Sequence, residues 1–266
     1  MRTALTLPVT LTVALIAAVC IPALGQQPPV PGKTVLCFSK TTGFRHTTAD
    51  YGKPIITTIG EQSGEFRTIC TEDERVFNPA FLSRIDCIVF NNTTGSFFND
   101  DEKAALLSYV QSGGGIVGIH AATDCHYDWP EYGKLFGGWF DGHPWNEQVT
   151  IRIEVPEHPA CLPVPSPWVI ADEIYQHRDW SRKDVCVLMS LDPKGTDFTK
   201  PGMKRADKDY GIAWCKMQGK GRVFYAALGH REEVFDAPAY REHLLNAILW
   251  AMGVVDGPSE PHPLAE

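Results

Sequence analysis

The chain carries no basic stripe. Its 24 lysines and arginines are outnumbered by 32 acidic residues, giving a formal charge of −8, and neither sign collects in long runs. Nucleic-acid and anionic-membrane surfaces need clustered Lys and Arg, so neither partner is expected. No CxxC occurs, which removes zinc ribbons and thioredoxin-type redox motifs. The short-range histidine motifs of zinc enzymes are also missing, so any metal site must be assembled from distant loops. No internal repeat occurs. The glycine triplet Gly113-Gly114-Gly115 lies before a strand rather than between a strand and a helix, which argues against a phosphate-binding loop.

What is present starts at the N-terminus. Arg2 precedes Leu5 to Leu24, an uncharged and almost wholly apolar stretch, and Ala23-Leu24-Gly25 supplies small residues. That is the pattern of a signal peptide over residues 1–25, cleaved before Gln26, and hence of an exported protein. The alternatives are an uncleaved anchor, against which Pro8 and Pro22 speak, and lipidation at Cys20, for which Val19 is too large a neighbour. No second apolar run approaches the ~20 residues of a membrane span, so after cleavage no membrane contact is expected. A Pro-rich leader (26–33), one domain (34–254) and a fraying tail (255–266) follow. With 266 residues and a 44% hydrophobic fraction the chain can bury a full core. Cys20 would leave with the signal; seven cysteines remain, an odd number. Four of them, Cys37, Cys87, Cys186 and Cys215, sit in strand-like apolar runs, where Cys is usually a small buried hydrophobe.

Buried strands are expected at 34–39, 66–70, 85–92 and 116–120, with helices at 51–63 and 101–112 between them and a short helical connection at 77–83. The run 85–92 is apolar throughout its middle, as a strand covered on both faces should be. Asn99 and Asp100 are good N-caps. Strand and helix in this rhythm predict an α/β fold, a doubly wound and mainly parallel sheet with helices on both faces. Further strands are expected at 149–155, 168–176 and 184–192, a strand pair at 210–230 and a last helix at 238–252.

Open parallel sheets bind ligands beyond the carboxyl ends of their strands. The residues placed there are Arg45 and His46, then Asn91, Asn92 and Thr93, then His120 and Asp124, then Asp172, Glu173 and Tyr175, and finally His230. The segment FDGHP adds Asp141 and His143. So many titratable groups at strand ends exceed chance. His126, His158 and His177 read as surface or loop residues, and His243 and His262 carry no expected site role. Tyr175, Trp139 and Trp145 could stack on a sugar ring or belong to the core.

The motifs TTGFRH, GGGIVGIHAATD, DWPEYGKLFGGWFDGHP, DEIYQ and GKGRVFYAALGH, in this order, resemble the ThuA-like (trehalose utilisation) family over about Lys33 to Gly253. The resemblance implies a flavodoxin-like sheet related to class I glutamine amidotransferases. It also implies a role in breaking down disaccharides, particularly sugars oxidised to 3-keto derivatives. Where those amidotransferases carry a nucleophilic Cys, this chain has His120, and Cys125 comes five residues later. An imidazole cannot easily form the thioester, so no glutaminase activity is expected.

The leading expectation is an exported enzyme acting on a small-molecule carbohydrate, a keto glycoside or disaccharide. His120 would move a proton, assisted by Asp124 or Glu173, with Arg45, His46, Asn92, His143, Tyr175 and His230 binding substrate. One rival is a non-catalytic carbohydrate-binding module. The other is a metal-dependent hydrolase. Three histidines and a carboxylate would suit zinc, with His46, His120, His143 and His230 as candidate ligands. The sequence leaves a homo-oligomer open.

Overall fold

Nine strands form one sheet in the computed structural model, which describes residues 32–264. The expected signal peptide and most of the leader lie outside the described residues. In chain order the parallel half comprises β1 (Thr34–Phe38), β2 (Arg67–Thr71), β3 (Cys87–Asn91) and β4 (Gly115–Ile119). The strands of the other half are β6 (Trp145–Ile153), β7 (Trp168–Ile174), β9 (Cys186–Leu191), β10 (Gly211–Gln218) and β11 (Gly221–Ala226). A two-residue strand β5 (Trp139–Phe140) pairs with β8 (His177–Arg178) in a separate ribbon. The order is β2-β1-β3-β4-β11-β10-β9-β6-β7. β2 to β11 run parallel, and the strands from β10 onward alternate in direction.

The expected α/β class therefore holds, with an antiparallel extension on one side. Residues of β1 show why both faces are covered. Val35 and Cys37 join the core beneath α1 (Thr48–Ser63) and α6 (Pro238–Ala251), with the short helices α2 (Pro79–Leu82), α4 (Pro130–Phe136) and α5 (Glu232–Asp236) in the connections. Leu36 and Phe38 join the core beneath α3 (Asp100–Gln111) on the opposite face. Successive strand side chains point to opposite faces, so a strand sandwiched between helices is apolar at every position. Ile55, Ile56 and Ile59 give α1 its buried face. Among the described residues no helix is long and apolar enough to cross a membrane.

Three expectations need correction. His126 and His158 lie in loops, as expected, and His177 in β8, but all three are buried; His126 packs among Phe97, Phe98, Trp129 and Tyr132. An imidazole is flat enough to pack as an aromatic, which sequence position does not reveal. The strand expected at 168–176 is β7, so Asp172 and Glu173 lie within it and not beyond a strand end. The described part of the tail, 255–264, is tied down rather than frayed. Arg222 donates to the Val255 carbonyl, Cys215 to that of Pro258 and His262 to that of Val187. Backbone hydrogen bonds, not composition, decide whether a terminus is ordered.

The cap of α3 is as expected and gives a direct test. The Asn99 side chain accepts from the Glu102 N–H at 3.0 Å while the Glu102 carboxylate accepts from the Asn99 N–H at 2.8 Å, a reciprocal capping box. Asn99→Ala should cost about 1 kcal/mol in urea unfolding. An unchanged midpoint would mean that the box contributes nothing here.

Candidate functional site

His120 follows β4 directly, at φ 46°. A non-glycine residue with this left-handed backbone is strained and must be held there by its surroundings. Two contacts hold it. The Tyr225 hydroxyl donates to the His120 carbonyl at 2.6 Å. The His120 Nδ1 lies 2.8 Å from the Ala227 carbonyl, which can only accept, so Nδ1 carries the proton. Nε2 is fully buried and has no hydrogen-bond partner.

Two further histidines converge on it. His46, on the loop after β1, is buried, with its Nε2 3.4 Å from the Tyr175 hydroxyl and its Nδ1 unpartnered. Its loop is anchored by the buried Asn91, whose amide donates to the carbonyls of Thr48 and Ala49. His230 follows β11 and also presents an unpartnered buried Nδ1. It is set by Asp172, a fully buried carboxylate that accepts the N–H groups of Gly229, His230 and Arg231 at 2.7, 3.3 and 3.0 Å. Gly229 has φ 121° and faces the Tyr240 hydroxyl so closely that a side chain would not fit.

Glu173 completes the group. Its Oε1 lies 3.7 Å from His120 Nε2 and 3.5 Å from His230 Nδ1, and its Oε2 lies 3.5 Å from His143 Nδ1. One ligand atom from each of His46, His120, Glu173 and His230 lies within 4.8 Å of the other three. Burial, then the neighbouring His120 and His230, push His46 down to about 3, and burial followed by His120 lowers His230. Both rings are therefore neutral near pH 7, with lone pairs free to ligate. Burial alone would raise Glu173, but the histidines around it, His120 first, hold its carboxyl below its ordinary value.

Three imidazoles and one carboxylate form a donor set suited to zinc. Bonds of about 2.0–2.1 Å place tetrahedral ligands roughly 3.3 Å apart, so the observed 3.5 and 3.7 Å spacings to Glu173 need only slight contraction. The His120–Ala227 contact is the outer-shell bond that typically orients a metal-bound histidine.

A cavity of about 220 Å³ opens onto this group, lined by Phe44, Asp124, Phe140, His143 and Tyr175 besides His46, Glu173 and His230. Asp124 does not touch His120, as one reading of the sequence had it. It accepts from the Tyr127 hydroxyl at 2.6 Å, and burial raises its pKa. Two expected substrate contacts are not at this cavity. Arg45 is exposed and pairs with Asp50 and Glu72 at 2.8 Å each. Asn92 is fully buried beneath the loops, donating to the Gly229 carbonyl at 3.3 Å. Trp145 is fully buried core, and Trp139 is half-buried and donates to the Cys125 carbonyl. Cys125 is buried against Thr93, and burial pushes its thiol up to about 12, so it is not a thiolate nucleophile.

Nothing in the sequence marks Phe44, Phe140 or Tyr225 as site residues, and Asp172 stands among the strand-end residues without a role. Asp172 and Glu173 are adjacent in β7, and alternation permits only one of them to face a given side. The sequence does not say which.

A search of curated proteins returned no match. Among solved structures, a ThuA-like protein from Bacteroides uniformis is 26% identical, with 86% of this chain and 94% of that chain covered and a TM-score of 0.70. A ThuA-like protein from Parabacteroides merdae is 21% identical over 84% of this chain and 90% of that one, with a TM-score of 0.66. A cytoplasmic protein from Salmonella typhimurium shares the fold at 13% identity, covering 82% of this chain and 98% of that one, with a TM-score of 0.55. The model of the ThuA family, described as trehalose utilisation, matches residues 34–251. That span holds all four converging side chains, and the chain belongs to the ThuA family.

Proposed function

We propose that His46, His120, His230 and Glu173 hold a divalent cation of the zinc class, and that the protein acts beside it on a carbohydrate, an oxidised (keto) glycoside. The observation that carries the metal is the set of three buried ring nitrogens with no partner, aimed with one carboxylate at a common point. Burying three bare polar atoms without compensation is costly, and a cation satisfies all of them at once. The carbohydrate comes from the family description and fits the aromatic walls Phe44, Phe140 and Tyr175, flat apolar faces of the kind that pack against sugar rings.

In this reading His120 is a ligand and no longer the proton carrier. When bound, the cation supplies Lewis acidity that draws electrons from a sugar carbonyl and acidifies the neighbouring C–H. Proton transfer falls to the chain's other groups. Asp124, held toward its protonated form by burial, stands at the cavity wall and can give a proton to a departing glycosidic oxygen. His143, exposed at the mouth and 3.5 Å from Glu173, would accept the proton that leaves that C–H as the glycosidic bond breaks.

Two experiments test this. Metal-free protein incubated with zinc should retain one equivalent after desalting, and turn over 3-keto-disaccharides. Asp124→Asn should keep the metal and lose about 10²–10⁴-fold in kcat. A protein that retains no metal would sink the proposal. Zinc-loaded protein that returns every keto sugar unaltered would favour a binding module instead. We also propose that the protein works outside the cytoplasm, on the strength of residues 1–25. N-terminal sequencing of the mature chain should begin at Gln26, and an intact Met1 would overturn export by cleavage.

A further inference from the structure

Beside the metal-facing cavity lies a second, more open one of about 420 Å³, lined by Tyr127, Phe140, Asp141, Gly142, Arg178 and Lys204. Phe140 lines both, so the two cavities adjoin at that ring. The outer cavity is held in shape by Gln176, whose side chain is buried. Its Nε2 donates to the carbonyls of Asp141 and Gly202 at 3.1 and 2.7 Å, and its Oε1 accepts from the Lys204 N–H at 2.9 Å. Two loops carrying charged side chains are thus pinned by one amide.

Charge in the outer cavity is unbalanced. Lys204 is paired with Asp141 at 2.6 Å. The Arg178 guanidinium instead lies over two rings, 4.9 Å from the centre of Tyr127 and 5.3 Å from that of Trp139, and has no carboxylate partner among the described residues. Stacking fixes the plane of the guanidinium and leaves its fork of N–H donors free. One uncompensated positive charge therefore stands next to the reaction cavity of a chain whose formal charge is −8. Such a fork matches an oxyanion bidentately.

We infer that the outer cavity binds a negatively charged substituent, a carboxylate or a phosphate, on the sugar whose reacting part occupies the inner cavity. The substrate is then an acidic sugar derivative and not a neutral one. The inference rests on the carbohydrate reading above. It also couples recognition to chemistry, because Tyr127 beneath Arg178 is the residue whose hydroxyl holds Asp124.

The test uses zinc-loaded full-length protein and three probes in titration calorimetry: D-glucose, D-glucuronate and D-glucose 6-phosphate. At least one acidic probe should bind about tenfold tighter than glucose, and less so in added salt. Which of the two binds tighter identifies the oxyanion. Arg178→Gln should bring the acidic probe down to the level of glucose while leaving zinc content and melting temperature unchanged. If that variant does not fold, Lys204→Gln replaces it, with a smaller loss expected. Equal binding of neutral and acidic probes overturns the inference, as does no binding of either acid. An acid preference that survives Arg178→Gln also overturns it, since the preference would then belong to the metal. Zinc stoichiometry is read separately, so failure of the metal proposal is distinguishable from failure here.

Discussion

Replacing His120 with alanine should reduce the affinity of the metal-free protein for zinc by about a hundredfold or more, since loss of an outer-shell partner alone costs 10–100-fold. A hundredfold corresponds to about 2.7 kcal/mol. His46→Ala and His230→Ala should do the same, because each removes one of the nitrogens that have no other partner. His143→Ala should not, since His143 reaches only the far oxygen of Glu173 and lies outside the converging set. The contrast among four histidines is the useful result, because a nonspecific surface effect would not sort them this way. Competition titration against a chelator measures it. Zinc held at a thousand times its Kd should also stabilise the wild type by about 4.1 kcal/mol, and the three ligand variants should lose most of that. His120→Asn guards against a misfolding artefact, since its amide can still donate to the Ala227 carbonyl. Four variants with wild-type affinity would dismiss the site.

The parallel half of the sheet was legible because its strands are covered on both faces. Apolar runs such as Cys87–Asn91, closed by turns and separated by helices with one apolar face, admit few other folds. The rule that ligands gather beyond strand ends then placed His46, His120 and His230 in one region. Its errors share a cause. Arg45 and Asn92 sit at the same sheet edge as the site histidines, but sequence fixes a residue's place along the chain and not the side to which it turns. Arg45 turns to the carboxylates of Asp50 and Glu72. Asn92, at φ 53°, turns inward under Gly229. Nor does local pattern reveal that β7, at the far edge in pairing order, returns to the ends of β4 and β11. That return is what brings Glu173 to His120 and Asp172 to His230.

Asp172 carries the second large prediction. It makes no contact with the cavity, yet its two oxygens accept three consecutive backbone N–H groups in a site with no exposure. Burial raises its pKa, and His120, followed by the N–H groups of Gly229, Glu173 and Arg231, works against the rise. Asp172→Ala would leave three buried donors unpaired, each worth about 1–3 kcal/mol. Partial relaxation of the loop should keep the total to about 3–5 kcal/mol in urea unfolding of the metal-free protein. Asp172→Asn is the sharper variant. Its carbonyl can still accept from Gly229 or Arg231, but its NH₂ group must face an N–H, so a smaller loss of about 1–2 kcal/mol is expected. The fold should survive this change while the 229–231 loop shifts. If Asp172 acts by setting His230, Asp172→Asn should weaken zinc binding about 10–100-fold, the range for an outer-shell residue. A purely structural role would lower the unfolding midpoint and leave zinc affinity untouched. Asp172 would then be a buried cap for the turn after β11, and the placement of His230 would have to come from Gly229 and the packing of its own ring against His46 and His120.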